Sequence, residues 1–215
     1  MTRFEEFARE HLPPLTETEP PPRLLEVGCG RGELTTALAR AGYDVLGIDP
    51  AAPEGHLFRR LRLEDLDEPG QYDGVLAGSS LHHIRDLGAG LDKIARLLAP
   101  NGVLVVEEFA WDRLDEPTLA WFAEQRRARS DGGEEAAAVE ALRAEWDADH
   151  LGLHGEEALL RGLAERFAEE AFEWTPYLYR LLGDGATEVL EQALVDSGEI
   201  QALGFRYVGR RRSAA

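Results

Sequence analysis

Short apolar runs alternate along the first half of the chain with segments in which apolar residues recur at helical spacing. A buried strand produces the first pattern and an amphipathic helix the second, so the alternation predicts an α/β fold with a mostly parallel sheet. Counted over the whole chain, the apolar runs predict a seven-stranded sheet. The predicted strands cover residues 24–27, 43–48, 56–62, 72–77, 103–109, 167–174 and 202–208.

Proline and glycine mark most ends of the predicted helices. The Pro-rich stretch 13–22 ends the first helix, Ala41-Gly42 ends the second, and residues 99–102 form a turn before the fifth strand. Residues 51–56 are too few and too rich in small residues for a helix, so we expect a turn there. Residues 209–215 are expected to be a frayed basic tail. Helical spacing covers residues 2–12, 33–41, 86–98, 116–129, 134–148, 155–166, 175–182 and 186–197.

The pattern changes between Trp111 and about His154, where two helices follow one another without a strand. The link Ser130–Gly133 separates them, because its aspartate and glycines interrupt the helical spacing. We therefore expect a helical insertion after the fifth strand.

A glycine-rich turn, Gly28–Gly32, joins the first strand to a helix that begins at Glu33. This arrangement brings backbone N–H groups and a helix N-terminus up to a nucleotide-like ligand, and glycine lets the ligand approach the backbone. A dinucleotide-binding loop reads G-x-G-x-x-G, whereas this one reads G-x-G-x-G with Glu26 two residues before the first glycine. Taken alone, the turn fits a generic strand-to-helix connection equally well.

Asp49 stands at the end of the second predicted strand and is followed by Pro50. A carboxylate at this place commonly receives a ribose diol, because its two oxygens accept hydrogen bonds from both hydroxyl groups. An Asp-Pro turn that starts a loop is the alternative. Nicotinamide-dependent enzymes also carry an acidic residue here, so Asp49 does not separate the ligand classes.

Composition limits the class and the partners of the protein. A length of 215 residues with 44% hydrophobic residues suits one domain with a sizeable core. The formal net charge of −18 disfavours nucleic acids and anionic membranes as partners. The single cysteine, Cys29, cannot form an internal disulfide or a cysteine-based metal cluster. Because no signal-peptide core or membrane-spanning run is found, we expect a cytoplasmic protein.

Residues 23–110 carry, in order, the glycine turn with Glu26, Asp49, the acidic loop LEDL, the strand YDGV, the segment LHH and the pairing LAPNG-VLVVEEF. Read together, these motifs resemble those of class I S-adenosylmethionine (SAM)-dependent methyltransferases of the small-molecule type. The resemblance departs from the family pattern at Asn101, where glycine is common. It implies a Rossmann-like sheet in the order 3-2-1-4-5-7-6, with the last strand antiparallel, helices on both faces and a helical insertion after strand 5.

The resemblance implies one methyltransferase domain over residues 1–215. Within it, the N-terminal helix either covers the cofactor, as is common in the family, or packs at the periphery. The implied parts are an N-terminal helix with a Pro-rich lead-in (1–22), a SAM-binding core (23–110), a helical insertion or lid (111–154) and the C-terminal part of the sheet (155–215).

The resemblance also implies which residues hold SAM and its product, S-adenosylhomocysteine (SAH). Glu26 would help to hold the methionine end, Asp49 the ribose and Asp65 the adenine. For the loop that carries Asp65, a solvated acidic turn is the alternative. The implied cofactor-binding residues are Glu26, Gly28, Cys29, Gly30, Gly32, Asp49, Pro50, Glu64, Asp65, Leu66, Gly78 and Ser79.

The implied reaction is in-line displacement of a methyl group from a sulfonium, to which positioning and exclusion of water contribute much. An acceptor that carries a proton benefits from a general base, and His83 is the catalytic candidate because imidazole titrates near neutral pH. His82 is a candidate substrate contact, with packing of the next helix as the alternative for both histidines. Glu107 and Glu108 are adjacent in the fifth strand, so at most one of them faces a ligand.

Trp111 and Trp146, in the insertion, are candidate substrate residues, with burial of the insertion against the sheet as the alternative. No spacing of His, Cys, Asp and Glu indicates a metal site, so no metal is expected. The sequence has no Asn-Pro-Pro-Tyr-type segment, and its only cysteine lies in the glycine turn, which argues against a nucleic-acid substrate. We expect a small, partly apolar acceptor, and a monomer or homodimer.

Two other classes stay open on the sequence. A nicotinamide-dependent oxidoreductase would share the glycine turn and Asp49, but it predicts a G-x-G-x-x-G spacing. A non-catalytic SAM-binding protein would keep the fold and the cofactor site, and it predicts SAM binding without turnover.

Overall fold

A computed structural model describes residues 2–17, 19–129, 139–183 and 185–212. Within these ranges, helices and strands alternate along the first half of the chain, as the hydrophobic pattern predicts. The helices are α1 Arg3–His11, α2 Glu33–Ala41, α3 Leu87–Leu97, α4 Glu116–Arg129, α5 Val139–Asp149, α6 Glu156–Arg166, α7 Leu178–Leu182 and α8 Gly185–Ser197. The strands are β1 Arg23–Val27, β2 Asp44–Ile48, β3 Phe58–Arg59, β4 Tyr72–Gly78, β5 Leu98–Phe109, β6 Phe167–Thr175 and β7 Gly204–Arg211.

The strands form one seven-stranded sheet in the order β3-β2-β1-β4-β5-β7-β6, which confirms the predicted order. The pairs β3–β2, β2–β1, β1–β4 and β4–β5 are parallel. Val27, the last residue of β1, lies opposite Ile48 of β2 and Ala77 of β4. The carboxyl ends of β1, β2 and β4 therefore meet at one edge, where the strand order reverses and where such sheets bind ligands.

The third strand is much shorter than predicted. Only Phe58 and Arg59 pair, opposite Gly47 and Ile48 of β2, whereas the prediction covered residues 56–62. The chain turns away directly afterwards, because the backbone N–H of Leu61 donates to the carbonyl of Arg59. The connection from β2 contains no helix among its described residues, as its small residues predict.

The ends of β5 and β7 also differ from the prediction. β5 already begins at Leu98, which pairs with Tyr72, and residues 99–102 bulge out of the ladder rather than form a turn before it. β7 runs from Gly204 to Arg211, so residues 209–211, predicted to be part of a frayed tail, are strand. Arg210 fixes this end, since its guanidinium donates to Glu170 (2.6 Å) and to the Asn101 carbonyl (2.5 Å).

Helix α4 has the predicted bounds, and α5 is described from Val139 onwards. The predicted link Ser130–Gly133 and the predicted helical residues 134–138 lie outside the described residues. Both helices lie between β5 and β6 in the chain, where the helical insertion was expected.

The chain divides into two compact units. The first holds residues 1–108, 157–173 and 206–215, and the second holds 109–156 and 174–205. In the first unit, α1 contributes Phe4, Ala8 and Leu12 to the buried core. Gly78 makes room for this helix, because a Cβ atom at that position would lie 3.2 Å from Cε1 of Phe4. These contacts support the alternative in which the N-terminal helix is a packing element.

The second unit has an aromatic core. The ring of Phe109 stacks on that of Tyr177 at 4.0 Å and meets Trp146 edge to face at 5.6 Å. Glu191 of α8 is fully buried and accepts hydrogen bonds from the backbone N–H groups of residues 177–179, which begin α7. Burial raises the pKa of this carboxyl above its ordinary value.

Candidate ligand-binding site

A cavity of about 530 Å³ lies at the carboxyl ends of β1, β2 and β4. Its volume is in the range of small-molecule and cofactor sites. All the residues that line it belong to the first unit. They are Val27, Gly28, Gly30, Ile48, Asp49, Pro50, Leu61, Arg62, Leu63, Glu64, Ser79, Ser80, His83, Ile84 and Arg85.

The three glycines of the turn have different tasks, although all have positive φ angles of 74°, 50° and 77°. A Cβ atom on Gly28 would overlap Ser80, and one on Gly32 would overlap the ring of Phe58. A Cβ atom on Gly30 would meet nothing within 4 Å. Gly28 and Gly32 are thus required by packing, whereas Gly30 leaves open space on the cavity wall that a ligand can use.

Asp49 connects the end of β2 to the glycine turn. One carboxylate oxygen accepts from the backbone N–H of Gly30 (3.2 Å), and the other accepts from the backbone N–H of Ala51 (2.7 Å). The side chain is partly exposed on the cavity wall. It therefore combines a fixed position with free acceptor capacity, as recognition of a diol requires.

The carboxyl group of Glu26 lies behind the turn and is not on the cavity wall. It is 5% exposed, and Oγ1 of Thr35 donates a hydrogen bond to it. Burial raises its pKa from the ordinary 4.5 to about 7; the hydrogen bonds from Thr35 oppose this shift, and the charge of Asp49 adds to it. The group thus titrates near neutral pH.

The raised pKa of Glu26 predicts a pH-dependent stability cost. Between about pH 4.5 and 7 the folded protein holds a proton that the unfolded chain has lost, so this group lowers stability as pH rises. Glu26→Gln removes the titration and keeps an acceptor for Thr35. Between about pH 4 and about pH 8, the difference in unfolding free energy between the variant and the wild type should change by up to about 3 kcal/mol in favour of the variant. Urea unfolding at both pH values measures this difference.

Glu10→Gln is the matched control, because Glu10 is exposed in α1. Its stability difference from the wild type should not change with pH. If Glu26→Gln behaved in the same way, the carboxyl of Glu26 would not be protonated in the folded protein.

The loop after β4 forms a second wall of the cavity. Ser79 has a φ of +49°, which is rare for a residue other than glycine, and its buried hydroxyl has no hydrogen-bond partner among the described residues. Its backbone N–H donates to the carbonyl of Glu107 (2.7 Å). The hydroxyl of Ser80 donates to the carbonyl of Val27 (2.8 Å), so this loop is tied to the end of β1.

Two adjacent histidines follow in this loop. His83 lines the cavity and is exposed, whereas His82 is buried. Their ring centroids are 4.1 Å apart. Nδ1 of His82 lies 2.6 Å from Oε2 of the fully buried Glu108. Glu107 pairs instead with Arg206 (2.9 Å). The two adjacent glutamates therefore have different partners, as the alternation of side chains along a strand predicts.

The structure brings only part of the predicted site together. Cys29 is buried, and burial raises the pKa of its thiol to about 12, so it stays protonated and unreactive. The roles of all these residues stay predictions. On the cavity wall are Gly28, Gly30, Asp49, Pro50, Glu64, Ser79 and His83, and not on it are Glu26, Cys29, Gly32, Asp65, Leu66, Gly78 and His82.

The two tryptophans predicted to contact substrate belong to the second unit. Trp146 lies in its core, and its indole N–H donates to the carbonyl of Trp111 (3.1 Å). Trp111 is partly buried, and its indole nitrogen has no hydrogen-bond partner among the described residues. Trp146 is therefore a buried packing residue of the second unit, and contact of either tryptophan with a substrate stays a prediction.

Sequence reasoning missed several residues of the site. Arg62 and Arg85 line the cavity, and no carboxylate is paired with either within the described part of the chain. The sequence signal that could have identified Arg62 and Arg85 is that they stand close to the motifs LEDL and LHH. Ser80 and Glu108 were missed as supports of the loop, because their contacts join segments 26 or more residues apart.

The described ranges of the chain contain no group of three or more His, Cys, Asp or Glu side chains that could hold a metal ion. Nor do they contain a helix long and apolar enough to cross a membrane.

The chain is similar to known methyltransferases both in sequence and in fold. Residues 2–161 match the family model described as a methyltransferase domain. A ubiquinone biosynthesis O-methyltransferase of Rhodopseudomonas palustris (strain TIE-1) is 36% identical over 97 residues, which cover 39% of this chain and 38% of the relative. The chain thus spans well under half the length of this curated relative.

Solved structures share the fold over most of the chain. The geranyl diphosphate C-methyltransferase of Streptomyces coelicolor A3(2) matches with a TM-score of 0.59 and 20% identity, covering 97% of this chain and 78% of that one. The 1,6-didemethyltoxoflavin-N1-methyltransferase of Burkholderia thailandensis matches with a TM-score of 0.52 and 18% identity, covering 90% and 72%. At these identities the likeness concerns the fold. Both structures contain SAH.

Proposed function

Because the chain belongs to the class I SAM-dependent methyltransferases, we propose that it transfers the methyl group of SAM to a small, partly apolar acceptor. The observation that carries this proposal is the cavity at the carboxyl ends of β1, β2 and β4, all of whose lining residues lie within the matched residues 2–161. Family membership argues against the nicotinamide-dependent alternative. The chain also lacks the G-x-G-x-x-G spacing that this alternative predicts.

The residues on the cavity wall fit SAM. Gly30 leaves open space where a ligand can lie against the backbone, and Asp49 offers a fixed carboxylate for a ribose diol. Leu61, Leu63 and Glu64 supply apolar and acidic groups of the kind that an adenine ring requires. The cavity volume of about 530 Å³ accommodates a molecule of this size.

SAM, when bound, supplies a methyl group on a sulfonium that is already a strong electrophile. The chain therefore has three tasks: to hold the donor, to orient the acceptor and to exclude water. The glycine turn and Asp49 do the first. The loop after β4, held by hydrogen bonds to the ends of β1 and β5, provides a fixed wall beside the donor. His83 lies on that wall, and its proposed task is to take a proton from the acceptor.

We propose a hydroxyl oxygen as the acceptor atom. Curated relatives that match this chain carry the name ubiquinone biosynthesis O-methyltransferase, which supports an oxygen acceptor on a small molecule. A hydroxyl group holds its proton at neutral pH, so a histidine in the cavity has a task that an unprotonated acceptor would not give it.

The direct test is methyl transfer from isotopically labelled SAM to a panel of phenols, catechols and aliphatic hydroxy compounds, with mass spectrometry of the products. The proposal predicts at least one acceptor that gains a methyl group on oxygen, together with stoichiometric SAH. SAM binding without turnover on any acceptor would favour a non-catalytic SAM-binding protein, and methylation only on nitrogen or carbon would overturn the oxygen assignment.

His83→Ala should lower kcat on a hydroxyl acceptor by about 100-fold, because general base catalysis is typically worth 10² to 10⁴. Its affinity for SAH should change less than about twofold. Steady-state kinetics and calorimetric titration measure these two quantities. His56→Ala is the control, since His56 is exposed and does not line the cavity. Unchanged kcat in His83→Ala would leave the base role without support.

A further inference from the structure

Glu108 connects the end of β5 to the loop after β4 through a single buried carboxylate. Its Oε1 accepts from the backbone N–H groups of Ser80 (2.8 Å) and Leu81 (2.6 Å), and its Oε2 meets Nδ1 of His82 (2.6 Å). Glu108 is 0% exposed and His82 is 5% exposed. One side chain therefore fixes three consecutive residues of the loop that carries His83.

These contacts indicate which ring nitrogen of His82 carries the proton. An ionised carboxylate only accepts hydrogen bonds, so the short contact with Nδ1 requires a proton on Nδ1. In a neutral imidazole the other nitrogen, Nε2, then keeps its lone pair. The ring of His82 lies against the ring of His83, with 4.1 Å between centroids, and His83 is on the cavity wall. The negative charge of Glu108 is thus linked to the cavity through two imidazoles.

We propose that Glu108 is a positioning residue for the methyl-transfer reaction, which fixes the loop over the cavity and holds His82 as the Nδ1–H tautomer. In this arrangement the carboxylate of Glu108 stabilises the positive charge that forms on His83 when it takes a proton from the acceptor. The tautomer is a property of the protein alone, whereas the effect on the reaction rests on the proposed function.

Glu108→Gln separates the proposed positioning role from a purely structural role of Glu108 in the loop. The amide oxygen of glutamine can still accept from the N–H groups of Ser80 and Leu81. The amide NH₂ group then faces Nδ1 and donates to it, so the proton of the ring moves to Nε2. The loop is retained while the tautomer is reversed and the negative charge is lost.

The experiment is long-range ¹H–¹⁵N correlation NMR on protein labelled at histidine nitrogens, in the wild type, Glu108→Gln and Glu107→Gln. The chain has six histidines, and His82→Asn identifies the signals of His82. Glu107→Gln is the matched control, because Glu107 pairs with Arg206 and not with His82. The proposal predicts protonated Nδ1 in the wild type and in the control, and protonated Nε2 in Glu108→Gln.

The same proteins are then compared in activity and SAH binding. Glu108→Gln should keep its SAH affinity within about twofold and lose at least about tenfold in kcat, since it removes the negative charge that stabilises protonated His83, and such electrostatic contributions are large in other enzymes. Wild-type His82 with its proton on Nε2 would overturn the proposal, whether or not Glu108→Gln folds. So would a Glu108→Gln variant with reversed tautomer and unchanged kcat. If the wild type methylated no acceptor, the proposed function would fail, while the NMR result would still decide the tautomer.

Discussion

Asp49→Asn should weaken binding of SAM and SAH by about 10- to 100-fold. A hydrogen bond to a charged group contributes about 1.5 to 3 kcal/mol, and each 1.4 kcal/mol is a factor of ten in affinity. Asparagine has the same shape but only one acceptor oxygen and no charge. It cannot hold the N–H groups of Gly30 and Ala51 and also receive both hydroxyl groups of a ribose.

The measurement is calorimetric titration of the variant with SAH beside thermal unfolding. Asp44→Asn is the matched control, because Asp44 begins the same strand at its opposite end and is exposed. The control should bind SAH like the wild type. Equal SAH affinity in Asp49→Asn and the wild type would mean that this carboxylate does not hold the ribose.

The second large effect is expected at Gly30. Alanine at this position meets no protein atom, but its methyl group occupies the open space beside the glycine turn. The positive φ of 50° costs about 1 to 2 kcal/mol of stability for a residue with a Cβ atom. We expect this moderate loss of stability together with a loss of SAH affinity of at least about tenfold, because ligand and methyl group compete for one space.

Gly70→Ala separates backbone strain from ligand exclusion. Gly70 has a φ of 67° and open space around it, but it lies outside the cavity wall. Both variants should lose similar stability in urea unfolding, and only Gly30→Ala should lose SAH binding. If both bound SAH like the wild type, Gly30 would not face the ligand.

The sequence predicts those parts of the structure that depend on neighbouring residues. The glycine turn, Asp49 and the strand order follow from local patterns and from a resemblance spread over residues 23–110. Side-chain directions in the turn could not be predicted, because they depend on distant partners. A Cβ atom at Gly28 would overlap Ser80, and the carboxyl of Glu26 faces Thr35 rather than the cavity.

The strand ends show the same limit. Apolar spacing predicts β3 over residues 56–62, but only Phe58 and Arg59 pair with β2, because the chain turns away directly after Arg59. The basic residues 209–211 look like a tail, yet the carboxylate of Glu170 and the carbonyl of Asn101 hold Arg210 in the sheet. Both outcomes depend on tertiary pairing, which the local pattern does not contain.

The proposed function requires that the cavity beside the glycine turn binds SAM. Calorimetric titration of the wild-type protein with SAM, SAH and NAD⁺, in separate experiments, is the decisive test. We expect saturable binding of SAM and SAH with one site per chain, and no binding of NAD⁺. A folded protein that binds neither SAM nor SAH, or that prefers NAD⁺, would contradict it.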